Sequence, residues 1–211
     1  GVSSAASDVY KRQYKGTYGD GERIGVYYWN NSTSKNTWSE SLLNKTNLNT
    51  NFITNIGEEW ANKIATTTWK VGGNAYSNIY SKTPSVVYQN EIVNPVTANT
   101  TDNATEYTAK IGLMYVSDYG FAAAPSAWTA NLNTYDGEAI KNVNWMYMGL
   151  YEWTISRNVD NAYNVFGVNN TGIANDRDAN DAHAVRPVFS LTSSVNYVSG
   201  SGSATDPIMV N

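Results

Sequence analysis

His183 is the single imidazole of the 211-residue chain, two residues after Asp181 and three before Arg186. A carboxylate, an imidazole and a guanidinium at that spacing invite general acid–base chemistry, which needs a positioned partner and a substrate pocket. No Gly-x-Ser-x-Gly elbow or other nucleophile motif accompanies them. The stronger reading is a histidine at the surface or at the start of a strand. Arg186, just before Pro187, is then expected to pin the core by pairing with a carboxylate such as Asp118 or Glu152. Those two acids are also the one pair worth testing for hydrolysis of a polysaccharide, where two carboxylates must face a groove.

A second cluster is the run from Asn175 to Asp181, in which Asp176, Asp178 and Asp181 offer hard oxygen ligands of the kind calcium takes. The spacing lacks the glycine and terminal glutamate of an EF-hand, no Glu-Pro-Asn or Trp-Asn-Asp motif accompanies it, and Arg177 inside the run opposes a cation. A solvated loop is the better expectation. Gly72-Gly73 and Gly200-Ser201-Gly202 are turn glycines, because no lysine and helix follow them in the phosphate-loop pattern.

Composition narrows the chemistry further. With no cysteine there is no disulfide framework, zinc-thiolate site, iron–sulfur cluster or thiol nucleophile. A net charge of −4 and a pI near 4.9 leave no basic face for nucleic acid or an anionic membrane, and no apolar run is long enough to span a bilayer. No cofactor is expected. Asn, Thr and Ser make up roughly a third of the chain, above ordinary usage. Together with 16 Tyr and 7 Trp, they predict a low-charge surface of neutral hydrogen-bonding groups and aromatic rings.

The elements that must hold these residues follow from patterning. Arg23 to Trp29 reads as a strand. Thr37, with Glu40 three residues on, reads as the start of a helix, a second helix begins near Asn49 and stops at Gly57, and a third spans 58–65. Tyr76, Ile79 and Tyr80 make a helical turn, and Val86 to Tyr88 an anchoring patch. Tyr107 to Ser117 is expected to be a strand, since Ile111, Leu113 and Tyr115 alternate, with a turn over Ser117 to Gly120. Short helices occupy 121–150. Strands follow over 150–156, 162–168 and 184–191, with a last pair near Tyr197 and Ile208 to Val210. Helices early and strands late predict an α+β fold: one domain, with short helices of the N-terminal half on a twisted antiparallel sheet made mainly by the C-terminal half. Residues 1–13 read as a tag remnant and a translated sequencing adapter, and 14–211 as the domain, its native N-terminus truncated.

Several long stretches carry a resemblance. Lys110-Ile-Gly-Leu-Met-Tyr-Val-Ser-Asp-Tyr-Gly-Phe121, Asn144-Trp-Met-Tyr147, Tyr151-Glu-Trp-Thr-Ile155 and Val185-Arg-Pro-Val-Phe-Ser-Leu191 resemble a set of surface proteins of unknown function from gut Firmicutes and related bacteria. So do the run from Trp38 to Gly73 and the tail from Val195 to Pro207. The resemblance covers residues 21–211. It implies an extracellular or cell-surface protein associated with a prepilin-type pseudopilus and carrying a C-type-lectin-like domain. The implied role is non-enzymatic binding of a host or bacterial surface protein or glycan; the alternative is a purely structural pseudopilin subunit. Chemistry known for the sulfatase-modifying relatives of that fold uses cysteines and does not carry over.

In the lectin-type arrangement the loops before the last strands form the ligand face. That selects Tyr147, Asn158, Asn161, Tyr163, Asn169, Asn170 and Arg177 as contact candidates. Tyr151, Trp153 and Ile155 alternate onto one face, which is expected to be core.

Overall fold

The computed structural model describes residues 26–31, 35–96, 104–203 and 205–211. The expected adapter segment 1–13, and Arg23, Ile24 and Gly25 of the first expected strand, lie outside the described residues. The strands are β1 (Val26–Tyr28), β2 (Thr67–Lys70), β3 (Gly73–Asn74), β4 (Glu106–Ala109), β5 (Glu152–Asn158), β6 (Asn164–Val168), β7 (Ala174–Asp178), β8 (Ala182–Ala184), β9 (Tyr197–Ser199) and β10 (Met209–Val210). The main sheet runs β1-β8-β5-β6-β7, and β3 also pairs with β5. Both β3 and β8 run parallel to β5, so the sheet is mixed, not antiparallel as patterning predicts. Short turns from β5 to β6 and on to β7 enforce antiparallel neighbours, whereas β3 is joined to β5 by a long connection and β8 meets β5 only after β6 and β7 intervene, both of which permit the parallel sense. The protein is an α+β chain of short helices and a multistranded sheet.

Alternation along β5 and β6 feeds two cores. Trp153, Ile155 and Val165 point into one, with Tyr27, Trp29, Trp38 and the helical residues Leu43, Leu48 and Phe52. Phe166, Val168 and Ala174 point into the other, with Ile79, Val87, Tyr119 and Leu132 from the short helices of the middle third. Every residue of β5 and β6 is therefore buried, as expected for strands covered on both faces. The indoles tie β1 to β5 by their polar edges: Trp29 Nε1 donates to the carbonyl of Thr154 at 3.1 Å, and Trp153 Nε1 to that of Tyr27 at 2.7 Å.

Three helical expectations change. Thr37 makes no side-chain cap, and only one tight turn, Trp38–Glu40, forms there. The helix expected from Asn49 begins earlier, as a widened helix over Leu43–Phe52 continued by Ile53–Asn55. Asn49 accounts for the tertiary fit of this run. Its side chain donates to the carbonyl of Ile111 at 3.0 Å and accepts from the same residue's N–H at 2.9 Å, imitating a strand neighbour. The stop at Gly57 stands, with φ at 84°, a conformation that favours glycine. Residues 110–117 are not strand. The chain makes a single bridge, Gly112 to Val188, and a helix, Val116–Phe121, replaces the expected turn. Asp118 starts it by accepting from the N–H of Tyr115 at 2.9 Å. Likewise β8 ends at Ala184, so most of the expected 184–191 strand is irregular chain around that bridge.

Gly112 is required by close approach, because an added Cβ would lie 2.6 Å from the Trp69 ring. Gly112→Ala is expected to lower stability by about 1–3 kcal/mol through overpacking. Urea denaturation checks this; an unchanged midpoint would show that Trp69 moves aside freely.

Several of the abundant asparagines lie in the interior and not at the surface. Asn36, Asn44, Asn74, Asn144, Asn158 and Asn164 are all buried. Asn36 alone donates to the carbonyls of Asn158 and Asn164, each at 2.8 Å, and of Asn161 at 3.1 Å. In a chain with this much irregular backbone, amide side chains satisfy the peptide groups that no ladder reaches.

Candidate functional site

The buried ion pair between Arg186 and Glu152 organises an exposed apolar segment of the late half. Arg186 Nε donates to Glu152 Oε1 at 2.8 Å and Nη2 to Oε2 at 2.7 Å. Nη2 also donates to the carbonyl of Met146 at 2.7 Å. Burial pushes the Glu152 carboxyl up and Arg186 pulls it back. A fork of this geometry fixes both partners and leaves neither free for proton transfer. Of the two pairings expected for Arg186, this is the one that forms. Glu152 is 2% exposed, and both of its oxygens accept from Arg186.

The segment above this pair is held at three more points. Asn144 Nδ2 donates to the carbonyl of Tyr119 at 2.9 Å, and its Oδ1 accepts from the N–H of Met146 at 3.0 Å. The Tyr147 hydroxyl donates to the carbonyl of Asn170 at 2.8 Å. Asn144 and Met146 are buried, yet Trp145 between them is 66% exposed. Val143, Met148, Leu150 and Tyr151 are exposed around it. An indole presented to water from an anchored backbone is the arrangement of a contact residue, since its area is available without ordering a loop first.

Tyr151 ends this segment and opens a cleft of about 380 Å³ lined with Arg177, Asp181, Ala182 and His183. Its ring stacks on His183, with centroids 5.2 Å apart, and Arg177 Cζ lies 5.2 Å from its centroid. Tyr151 is thus half-exposed, not core as alternation predicts, because it precedes β5 at the sheet's rim. His183 lies in the short strand β8, near its start as one reading expects, but is buried and not at the surface: it pairs with Tyr27 across β8 and β1 and packs on Trp153 at 4.2 Å. Burial first, and Arg177 second, push its imidazole down to about 4. Among the described residues its buried Nδ1 has no hydrogen-bond partner.

The contact candidates chosen from sequence do not form one face. Asn158 is a buried strand residue, its Nδ2 3.3 Å from Asp176 Oδ2 and its Oδ1 accepting from Asp160 N–H. Asn169 builds a turn, accepting from the N–H groups of Thr171 and Ile173 at 3.0 and 2.9 Å, and Asn170 receives Tyr147. Asn161 and exposed Tyr163 lie at the opposite end of β6 from Asn169 and Asn170. Arg177 alone lines the cleft. Only the end of the aspartate run, 179–181, is a turn; Asp176 and Asp178 belong to β7, where Asp178 accepts from Asn164 at 2.9 Å. Among the described residues no three acids or histidines gather closely enough to hold a metal ion.

Sequence reasoning missed Glu91, which is fully buried in a short helix, Gln89–Val93. It accepts from the Ser156 hydroxyl and, at 3.1 Å, from the N–H of Ser117. Burial lifts its carboxyl to about 7 against those hydrogen bonds. Nothing in the polar stretch around it marks this acid as interior. Comparison with family models, with curated proteins and with solved structures finds no match for the chain.

Proposed function

We propose that this chain is a non-enzymatic contact module displayed outside a bacterial cell, on its surface or on a pseudopilus, gripping a protein or glycan through the 142–151 segment. The observation that carries the reading is Trp145, exposed between two buried, hydrogen-bonded neighbours on a segment pinned by Arg186. Tryptophan held in this way is the residue type that dominates binding energy when it is covered. The low charge and the occupied state of Glu152 favour contact over catalysis. The same reading takes the fold as C-type-lectin-like, supported by the early strand β1 pairing with late β8 and by the long irregular connections between strands.

Screening wild-type protein and Trp145→Ala on arrays of glycans and of extracellular proteins tests this. Wild type is expected to give binders whose signal the variant loses, while the variant's stability stays within about 0.5 kcal/mol, as for other exposed positions. No binder on either array, or binders indifferent to the substitution, would count against the reading.

A further inference from the structure

The cleft beside the aromatic segment has its own chemistry. Arg177 stands on the edge strand β7, half-buried. Among the described residues its guanidinium has no hydrogen bond and no ion pair; its one specific contact is the Tyr151 ring. A guanidinium resting on an aromatic face keeps its in-plane N–H groups unused, and those groups form the fork that matches a carboxylate. Around it the cleft offers the Asp181 carboxylate, an acceptor, and the His183 ring. That imidazole is neutral at physiological pH, and a neutral imidazole can exchange hydrogen bonds with a hydroxyl in either sense.

We propose that this cleft binds the carboxylate of an acidic, hydroxyl-rich sugar residue of the hexuronic type, with Arg177 holding the carboxylate and Asp181 and His183 the ring hydroxyls. The lining carries one cation and one carboxylate, with Asp178 close enough to act on Asp181, so a singly charged acid is repelled less than a phosphate dianion. The depression is shallow and open to solvent, about 380 Å³ in volume, so a sugar ring would lie on it rather than be enclosed by it. Tyr151 joins the two regions: the cleft reads the acidic residue, and the segment bearing Trp145 covers what is attached to it. The inference rests on the contact reading above and narrows it to one ligand class.

The probe is sodium glucuronate, titrated into isotope-labelled wild-type protein and followed by amide chemical shifts, with glucose and glycine as parallel arms. Glucuronate is expected to saturate with shifts centred on Arg177 and residues 181–183. Glucose is expected to bind about tenfold more weakly or worse, as loss of one charge-assisted pair implies. Arg177→Gln is expected to lose the same factor with only a small fall in melting temperature, since the side chain forfeits no hydrogen bond and only the Tyr151 ring contact and the attraction of Asp181. Arg177→Lys, which keeps the charge but not the fork, is expected to lose most of it. Equal binding of glucose and glucuronate, tighter binding of zwitterionic glycine, or an unaffected Arg177→Gln overturns the proposal. Array binding that depends on Trp145 while glucuronate stays inert overturns the acidic-sugar inference and leaves the contact reading standing. Glucuronate held at Arg177 with array signals indifferent to Trp145 supports the cleft and removes the segment from the account.

Discussion

Arg186→Ala is expected to lower the stability of the protein by about 3–5 kcal/mol, the usual cost of removing one member of a buried pair. Two consequences combine. Glu152, 2% exposed, is left as an uncompensated interior carboxylate, and the carbonyl of Met146 loses its donor. Urea denaturation measures the loss. The paired change Arg186→Leu with Glu152→Met is expected to recover at least half of it, because a packed apolar pair of similar volume has no charge to desolvate. The Met146 carbonyl stays unpaired in that double variant, so amide exchange over 142–150 is expected to remain faster than in wild type even where global stability returns. A loss below about 1 kcal/mol for Arg186→Ala, the range of an exposed pair, would contradict this description.

Glu91→Gln is expected to act in the opposite direction and to depend on pH. A carboxyl lifted from 4.5 to about 7 is protonated in the folded chain while ionised in the unfolded one. Between those values folding takes up a proton, so stability falls as pH rises from 4.5 to 7 and stays low above. The penalty approaches about 3 kcal/mol at pH 8. Glutamine copies the protonated acid: its amide can donate to Ser156 and its oxygen accept from the N–H of Ser117. The variant should therefore gain about 1–3 kcal/mol over wild type at pH 8 and nothing near pH 4.5. His183 has the reverse dependence. Its value falls from 6.5 to about 4 in the folded chain, so its stabilising effect is complete above 6.5 and is lost as pH drops towards 4. In wild type the two slopes oppose each other between 4.5 and 6.5; Glu91→Gln removes the falling one, so stability should rise relative to wild type as pH increases across that window. Denaturation of both proteins from pH 4 to 8 decides it, and parallel curves would refute the assignment.

Parts of this molecule are legible in its sequence for plain reasons. Alternation in Trp153-Thr154-Ile155 and β-branched, aromatic content in Asn164 to Val168 mark strands, and both are β-strands of the central sheet. Arg186 beside a proline and an apolar run announces a buried cation in need of an acid, and Glu152 supplies it. Residues 110–121 mislead because a chain crossing between cores also buries alternate side chains. Gly112, set against Trp69, and Asp118, three residues after Tyr115, were the local signals of a bridge followed by a helix. The asparagines mislead through composition, which counts amides without saying whether they face water or a stranded carbonyl. The cleft is hidden for a related reason. Tyr151, Arg177 and His183 meet because the short link over 179–181 carries the chain from the edge strand β7 to β8, which lies parallel to β5 next to Tyr151, and that pairing leaves no trace in local patterning. Glu91 is invisible in the same way, since its partners Ser117 and Ser156 lie 26 and 65 residues away.

The contact role of the pinned segment is tested most directly by titration calorimetry of wild type and Trp145→Ala against the tightest ligand selected on the arrays. Truncating an exposed indole that becomes covered on binding is predicted to weaken affinity about 30-fold or more at an unchanged melting temperature. An affinity within about twofold of wild type, a difference below 0.5 kcal/mol, would contradict it.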